Sequence, residues 1–194
     1  MDQDVLLQAL DTLGVNQKIV CEDLKENGET KGGRQAVYLA KFHLSETNIA
    51  ARLRTLITAP KAIRPINTDK AISWVQHQLD ITLASKQVEA VKCALTNKVV
   101  VITGGPGTGK TTIINAILKI FAKARVKFLL AAPTGRAAKR MSEATGHEAK
   151  TIHRLLEYSI QKGGFQKNDQ TPLKCDLLVV DEASMIDTIL APPP

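Results

Sequence analysis

Residues 99–118 leave this chain the least freedom. Val99-Val100-Val101-Ile102 is an apolar, β-branched run, and Gly104-Gly105-Pro106-Gly107-Thr108-Gly109-Lys110-Thr111 follows it. After Thr112 comes an apolar helical stretch through Ile113, Ile114, Ile117 and Leu118. A buried parallel strand that turns through glycines into a helix predicts an α/β fold built on a parallel sheet. The loop fits G-x-x-x-x-G-K-S/T. Its glycines let successive backbone N–H groups face a phosphate, the helix start adds partial positive charge, and the lysine reaches the outer phosphate oxygens. Gly105, Pro106, Gly107, Thr108, Gly109, Lys110, Thr111 and Thr112 are therefore the candidate nucleotide cradle. Lys110 doubles as a candidate catalytic group, and the Thr111 hydroxyl is a candidate Mg²⁺ ligand. A turn made only to reverse the chain has no need of the Lys-Thr pair.

The other half of such a site is an acid at the end of a second buried strand, and Leu177-Leu178-Val179-Val180-Asp181-Glu182 offers one. Asp181 is the candidate metal carboxylate. Glu182 is the candidate base that orients and deprotonates an attacking water. Alone, two acids after an apolar strand mark only its solvated end. With the phosphate loop they make a coherent set, because phosphoryl transfer needs both a cradle and a metal-bound carboxylate.

Charge narrows the partner. The 194 residues carry 26 Lys+Arg against 19 Asp+Glu, a formal net charge of +7. The excess lies wholly in residues 61–150, with 15 basic and 5 acidic side chains. Such a bias suits a solvated helix face or a groove for phosphate backbones. Three scattered cysteines, Cys21, Cys93 and Cys175, and four scattered histidines suggest a reducing compartment and no structural metal. No apolar run approaches the roughly 20 residues that cross a bilayer, and Met1-Asp2-Gln3-Asp4 lacks a basic leader. The expectation is a cytoplasmic protein with no membrane partner.

Ahead of the loop, Asp4 with Leu6, Leu10 and Leu13 predicts a helix ending at Gly14. Asn16 with Ile19, Val20 and Leu24 predicts a second ending at Gly28, and Gly32-Gly33 predicts a hairpin within Glu29–Leu39. Helix, helix, hairpin is a winged-helix-like order, and with a charge near zero its expected role is structural. Ser45 is read as the cap of a helix marked by Ile49, Leu53, Leu56 and Ile57. Ala59-Pro60 and Arg64-Pro65 break the pattern. The expected division is a small, mostly helical region at 1–57, a linker at 58–70 and a P-loop nucleotide-binding domain at 71–194. That domain opens with helices around Ile72, Val75 and Leu79 and, after a Ser85 cap, around Val88, Val91 and Leu95.

A further strand, Phe128-Leu129-Leu130-Ala131-Ala132, leads into Pro133-Thr134-Gly135-Arg136-Ala137-Ala138-Lys139-Arg140, and Thr151-Ile152-His153-Arg154 comes later. With Leu83-Ala84-Ser85-Lys86-Gln87 upstream and Asp181-Glu182-Ala183-Ser184-Met185 downstream, the ordered set resembles the RecD-like DNA helicases of superfamily 1. Residues 35–57 also look like the segment that precedes the motor in bacterial members. The resemblance implies a P-loop RecA-like sheet, ATP and Mg²⁺ as cofactors, and 5′ to 3′ movement on single-stranded DNA. It implies that Gln87 reads the adenine edge. It implies that Pro133, Thr134, Gly135 and Arg136 touch the DNA backbone, with Lys139 and Arg140 adding charge. Thr151 and His153 match a later strand-contact motif; a helix N-cap at Thr151 and a packed or surface His153 are equally compatible with the residues.

The sequence departs from that family after Asp181-Glu182, where it runs through Met185-Ile186-Asp187-Thr188-Ile189-Leu190 to Ala-Pro-Pro-Pro. The γ-phosphate sensor and the second RecA-like domain of the relatives do not follow, so the sheet is expected to be incomplete and the isolated chain inactive as a helicase. A partner chain could supply the missing half. Two other readings stay open. One is an AAA-type P-loop ATPase acting on protein partners, which the loop suits equally but which requires neither Gln87 nor residues 133–138. The other is a fragment that binds nucleotide or DNA and turns nothing over.

Overall fold

The computed structural model describes residues 3–26 and 29–187. They fall into two compact units, one running through Thr55 and the other from Leu56 to Ile186. Among the described residues no helix is long and apolar enough to cross a membrane.

The first unit is built from α1 (Gln3–Val15), β1 (Ile19–Glu26), β2 (Glu29–Leu39) and α2 (Ala40–Thr58), whose last residues pass into the second unit. Asp4 lies in the first turn of α1 rather than ahead of it. Helix, strand, strand, helix replaces the expected helix, helix, hairpin. The segment read as a second helix is β1, antiparallel to β2 with Ile19 opposite Leu39, Val20 opposite Tyr38 and Cys21 opposite Val37. Gln17, at φ 55°, reverses the chain after α1 and delivers Ile19-Val20 extended. These β-branched residues then find partners that no local window shows. Gly32-Gly33 lie inside a single strand, not at a hairpin turn. Ser45 does not cap α2; the helix starts at Ala40, and Ser45 Oγ donates to the Lys41 carbonyl one turn back, 2.9 Å away.

The second unit opens with α3 (Thr68–Leu79) and α4 (Ser85–Thr96). Asn67 caps α3, its side chain accepting from the Lys70 N–H. The chain leading into α3 is pinned by lysines: Lys98 Nζ donates to the Ala59 and Pro60 carbonyls (3.3 and 2.9 Å), and Lys61 Nζ donates to the Thr96 carbonyl. Helix α4 starts at Ser85, but its cap comes from Gln87, whose Oε1 accepts from the Ala84 N–H at 3.0 Å.

Next come α5 (Lys110–Lys123), β3 (Phe128–Ala132), α6 (Gly135–Thr145), β4 (Ala149–Thr151), α7 (Ile152–Leu155), β5 (Tyr158–Ser159), β6 (Gly164–Phe165) and β7 (Leu177–Val180). Strands β4, β3 and β7 form a parallel sheet in that order, as the α/β expectation required. β5 and β6 make a separate antiparallel pair. The run Val99–Ile102, expected as a buried strand, joins no ladder, and Val101 is 82% exposed. A strand exists only with a neighbour. β3 has both edges occupied, and nothing among the described residues pairs with the Val99 segment. Ile102 alone turns inward to the core.

Helix α5 is the hub. Ile113, Ala116, Ile117, Ile120 and Phe121 pack with Ile72 and Val75 of α3 and with Leu83 and Val91. On another face, Leu118 meets Leu130 of β3 and Met141 of α6. The helix that follows the glycine loop is thus clamped between a helical layer and the sheet.

Candidate nucleotide site

The loop bends through Gly107 and Gly109, at φ 75° and 80°, and Gly109 is the N-cap of α5. In that left-handed region a side chain costs roughly 1–2 kcal/mol. At Gly109 the space is also taken: an added Cβ would stand 2.4 Å from Gln87 Nε2. Gly109→Ala is accordingly expected to lose about 1–2 kcal/mol of stability in urea unfolding, and to weaken nucleotide binding by pushing Gln87 away.

Gln87 is half-buried, and its amide bridges two segments. Oε1 takes the Ala84 N–H, and Nε2 donates to the Thr108 carbonyl at 3.2 Å. The start of α4 is thereby fastened to the glycine loop. The amide retains one N–H and one lone pair for a further partner. Beside it, Lys86 donates to Glu89 at 2.9 Å; that hydrogen bond, with the carboxylate charge behind it, raises the lysine pKa.

Lys110 folds over its own loop, with Nζ donating to the Gly104 and Gly105 carbonyls at 2.6 and 2.8 Å. Thr108 Oγ1 donates to the same Gly105 carbonyl at 2.9 Å. Gly104 through Thr108 are exposed, as is Thr111, while Lys110 and Thr112 are half-buried. The residues fit a polyphosphate: an open loop with two left-handed glycines at the start of a 14-residue helix, and an ammonium whose present partners are carbonyls that an anion would outcompete. Two surface pockets, of about 320 and 270 Å³, lie elsewhere, at Gln76–Thr82 and around Asn115 and His147.

The remaining candidates gather where the parallel strands end. Beyond β7, the Asp181 N–H donates to the Ala131 carbonyl of β3 at 2.9 Å. Asp181 Oδ1 accepts from the Glu182 N–H at 2.9 Å. Glu182 itself sits at φ 50°, ψ 38°, unusual for a residue with a side chain. Beyond β3, half-buried Pro133 and Thr134 lead into α6, and Thr134 Oγ1 caps it by accepting from the Ala137 N–H at 3.2 Å. Gly135 and Arg136 are exposed. At the end of β4, Thr151 lies opposite Ala132 and caps α7, accepting from the Arg154 N–H at 3.3 Å.

His153, in the short helix that Thr151 caps, is exposed, and its ring lies 5.5 Å from Tyr158 and 5.6 Å from Phe165. A contact invisible in the sequence joins the middle of α6 to the end of β7: Arg140 Nη1 lies 3.8 Å from Glu182 Oε1. The two residues are far apart in the chain and share no local pattern. Among the described residues no group of three or more His, Cys, Asp or Glu is placed to hold a metal by itself.

Comparison with known proteins places this assembly. A family model described as an AAA domain matches residues 87–192, from Gln87 past the acidic pair. The chain belongs to the AAA domain family. The chain is 37% identical over 158 residues to the ATP-dependent RecD2 DNA helicase of Deinococcus radiodurans, covering 81% of the chain and 21% of the helicase. It is 32% identical to the RecBCD enzyme subunit RecD of Buchnera aphidicola and 33% identical to that of Mycobacterium tuberculosis, over 81% and 79% of the chain and 29% of each relative. The chain thus spans less than a third of each relative's length. The resemblance to RecD-like helicases read from the motifs is borne out by these matches.

Proposed function

We propose that this chain is the ATP-binding portion of an ATP-dependent 5′ to 3′ DNA helicase, working in the cytoplasm and coupling hydrolysis to movement on single-stranded DNA. The carrying observation is the sheet edge at which adjacent parallel strands end. β3 delivers residues 133–136 and β7 delivers Asp181-Glu182, tied together by the Asp181 to Ala131 hydrogen bond. Ligands of open α/β sheets bind beyond the carboxyl ends of the strands. Placing the strand-contact segment beside the acidic pair lets one ligand influence the other. In this reading residues 1–57 form a separate domain, 58–70 a connection and 71–194 the motor portion, and a partner chain or further domain completes the DNA track.

The roles follow from the side chains. Lys110 and the backbone N–H groups of Gly105 and of residues 107–112 hold the phosphates, with Pro106, which has no N–H, shaping the turn, and Thr111 and Asp181 hold Mg²⁺. Gln87 spends its spare amide valence on the adenine edge. Bound ATP supplies the phosphoanhydride whose cleavage drives the cycle. Glu182 accepts the proton of the attacking water. Thr134, Arg136, Thr151 and His153 contact the DNA backbone.

Fluorescence anisotropy with a labelled oligothymidylate tests the DNA part. Arg136→Ala is expected to weaken binding about threefold to tenfold and to flatten the salt dependence by roughly 0.7 in log–log slope, the share of one phosphate contact. Hydrolysis that is independent of DNA and unchanged in Arg136→Ala would instead favour an ATPase acting on protein partners.

A further inference from the structure

The acid assigned as base does not stand alone. Glu182 is paired at 3.8 Å with Arg140, and Arg140 belongs to α6, the helix that begins immediately after Pro133-Thr134. Arg136 and Arg140 are four residues apart and so share one face of that helix. The Arg140 side chain is 67% exposed and that of Glu182 36%. A long, half-open pair of this kind is weak and exchanges readily. A guanidinium offers the same planar fork to a carboxylate and to a phosphate diester. Any phosphate drawn to Arg136 and Lys139 therefore arrives within reach of an arginine that already holds an anion.

We propose that Arg140 is a positioning residue with two partners: it holds the Glu182 carboxylate when no DNA is bound, and exchanges it for a backbone phosphate when single-stranded DNA lies along residues 133–136. The exchange releases Glu182 from its counter-charge and leaves it free to turn toward the nucleotide. The unusual backbone of Glu182 suits this. Glu182 sits at φ 50° with its N–H donated to Asp181 Oδ1, so a turn of the side chain alone suffices for the exchange. This inference rests on the DNA-binding reading above and adds the link by which DNA reaches the hydrolytic residue.

If Glu182 competes with DNA for Arg140, removing the carboxylate must tighten DNA binding, and only while Arg140 is present. The test is a double-mutant cycle read by oligothymidylate anisotropy on the full 194-residue chain at low salt. Glu182→Gln is expected to tighten binding about twofold to fivefold, the range of an exposed ion pair, and Arg140→Ala to weaken it. In the double variant the gain from Glu182→Gln disappears, whereas Arg140→Lys keeps part of it. An equal gain from Glu182→Gln with and without Arg140 would be a general charge effect and would overturn the exchange. So would no gain in either background. If the unaltered chain fails to bind the oligonucleotide, or if Arg136→Ala binds as well as it does, the DNA reading fails and the exchange falls with it.

Discussion

Lys110→Ala is expected to lower the affinity for MgATP about a hundredfold while leaving the melting temperature of the protein unchanged. The ammonium now bonds the Gly104 and Gly105 carbonyls, so it is preorganised over the loop into which the phosphates would descend. Losing a charged donor to phosphate oxygens removes about 3 kcal/mol, counted as one strong or two modest charge-assisted bonds, and every 1.4 kcal/mol is about tenfold in Kd. Stability is spared because both carbonyls lie in an exposed loop, where water replaces the lost donor. Titration of a fluorescent ATP analogue in parallel with a thermal melt separates the two effects. Weaker binding together with a lower Tm would mean that Lys110 maintains the fold rather than the ligand site.

The largest effect on stability is expected at Leu118. It is 1% exposed and packs on Leu130 at 2% and Met141 at 4%, so it joins α5 to the sheet and to α6. Truncating a leucine in such a site removes its transfer free energy and leaves a cavity, and Leu118→Ala is expected to cost about 3–5 kcal/mol. For a protein of this size that is a fall of roughly 10 °C or more in Tm. Because α5 carries Lys110 at its first position, the loop should lose nucleotide binding at temperatures where the unaltered chain still binds. Urea unfolding checks the magnitude, and a cost below about 1 kcal/mol would mean that α5 is not the hub.

The parts of the site that were legible in the sequence are those written contiguously. The glycine loop, the lysine and threonine that open α5, the strand Phe128–Ala132 and the acidic pair after β7 each combine composition and order within a dozen residues. The structure puts Lys110 and Thr111 at the start of α5, residues 128–132 in β3 and the acidic pair after β7, while the strand expected ahead of the glycine loop joins no ladder. The parts that were not legible depend on distant pairing. Ile19-Val20 and Leu24 fit a helix face as well as a strand, and only Val37-Tyr38-Leu39 alongside decides for β1. Val99–Ile102 shows the converse, a sequence suited to a strand that joins no ladder because no neighbour lies beside it. Strand β4 is Ala-Lys-Thr, three residues with no strand signal, and it is a strand only through its pairing with β3. The hydrogen bond of Gln87 to Thr108 and the reach of Arg140 to Glu182 both join residues remote in sequence. The family resemblance nominates Gln87 and the strand-end pattern nominates Glu182, but neither gives their partners.

A phosphate cradle at residues 105–112 is tested most directly by a nucleotide ladder. ATP, ADP and AMP are titrated by calorimetry into the chain with Mg²⁺ present. The account predicts measurable binding of ATP and ADP, loss of both in Lys110→Ala, and no binding of AMP, since the β-phosphate is what the loop and the start of α5 grasp. Equal binding of all three, or binding indifferent to Lys110, would place the nucleotide elsewhere and contradict the account.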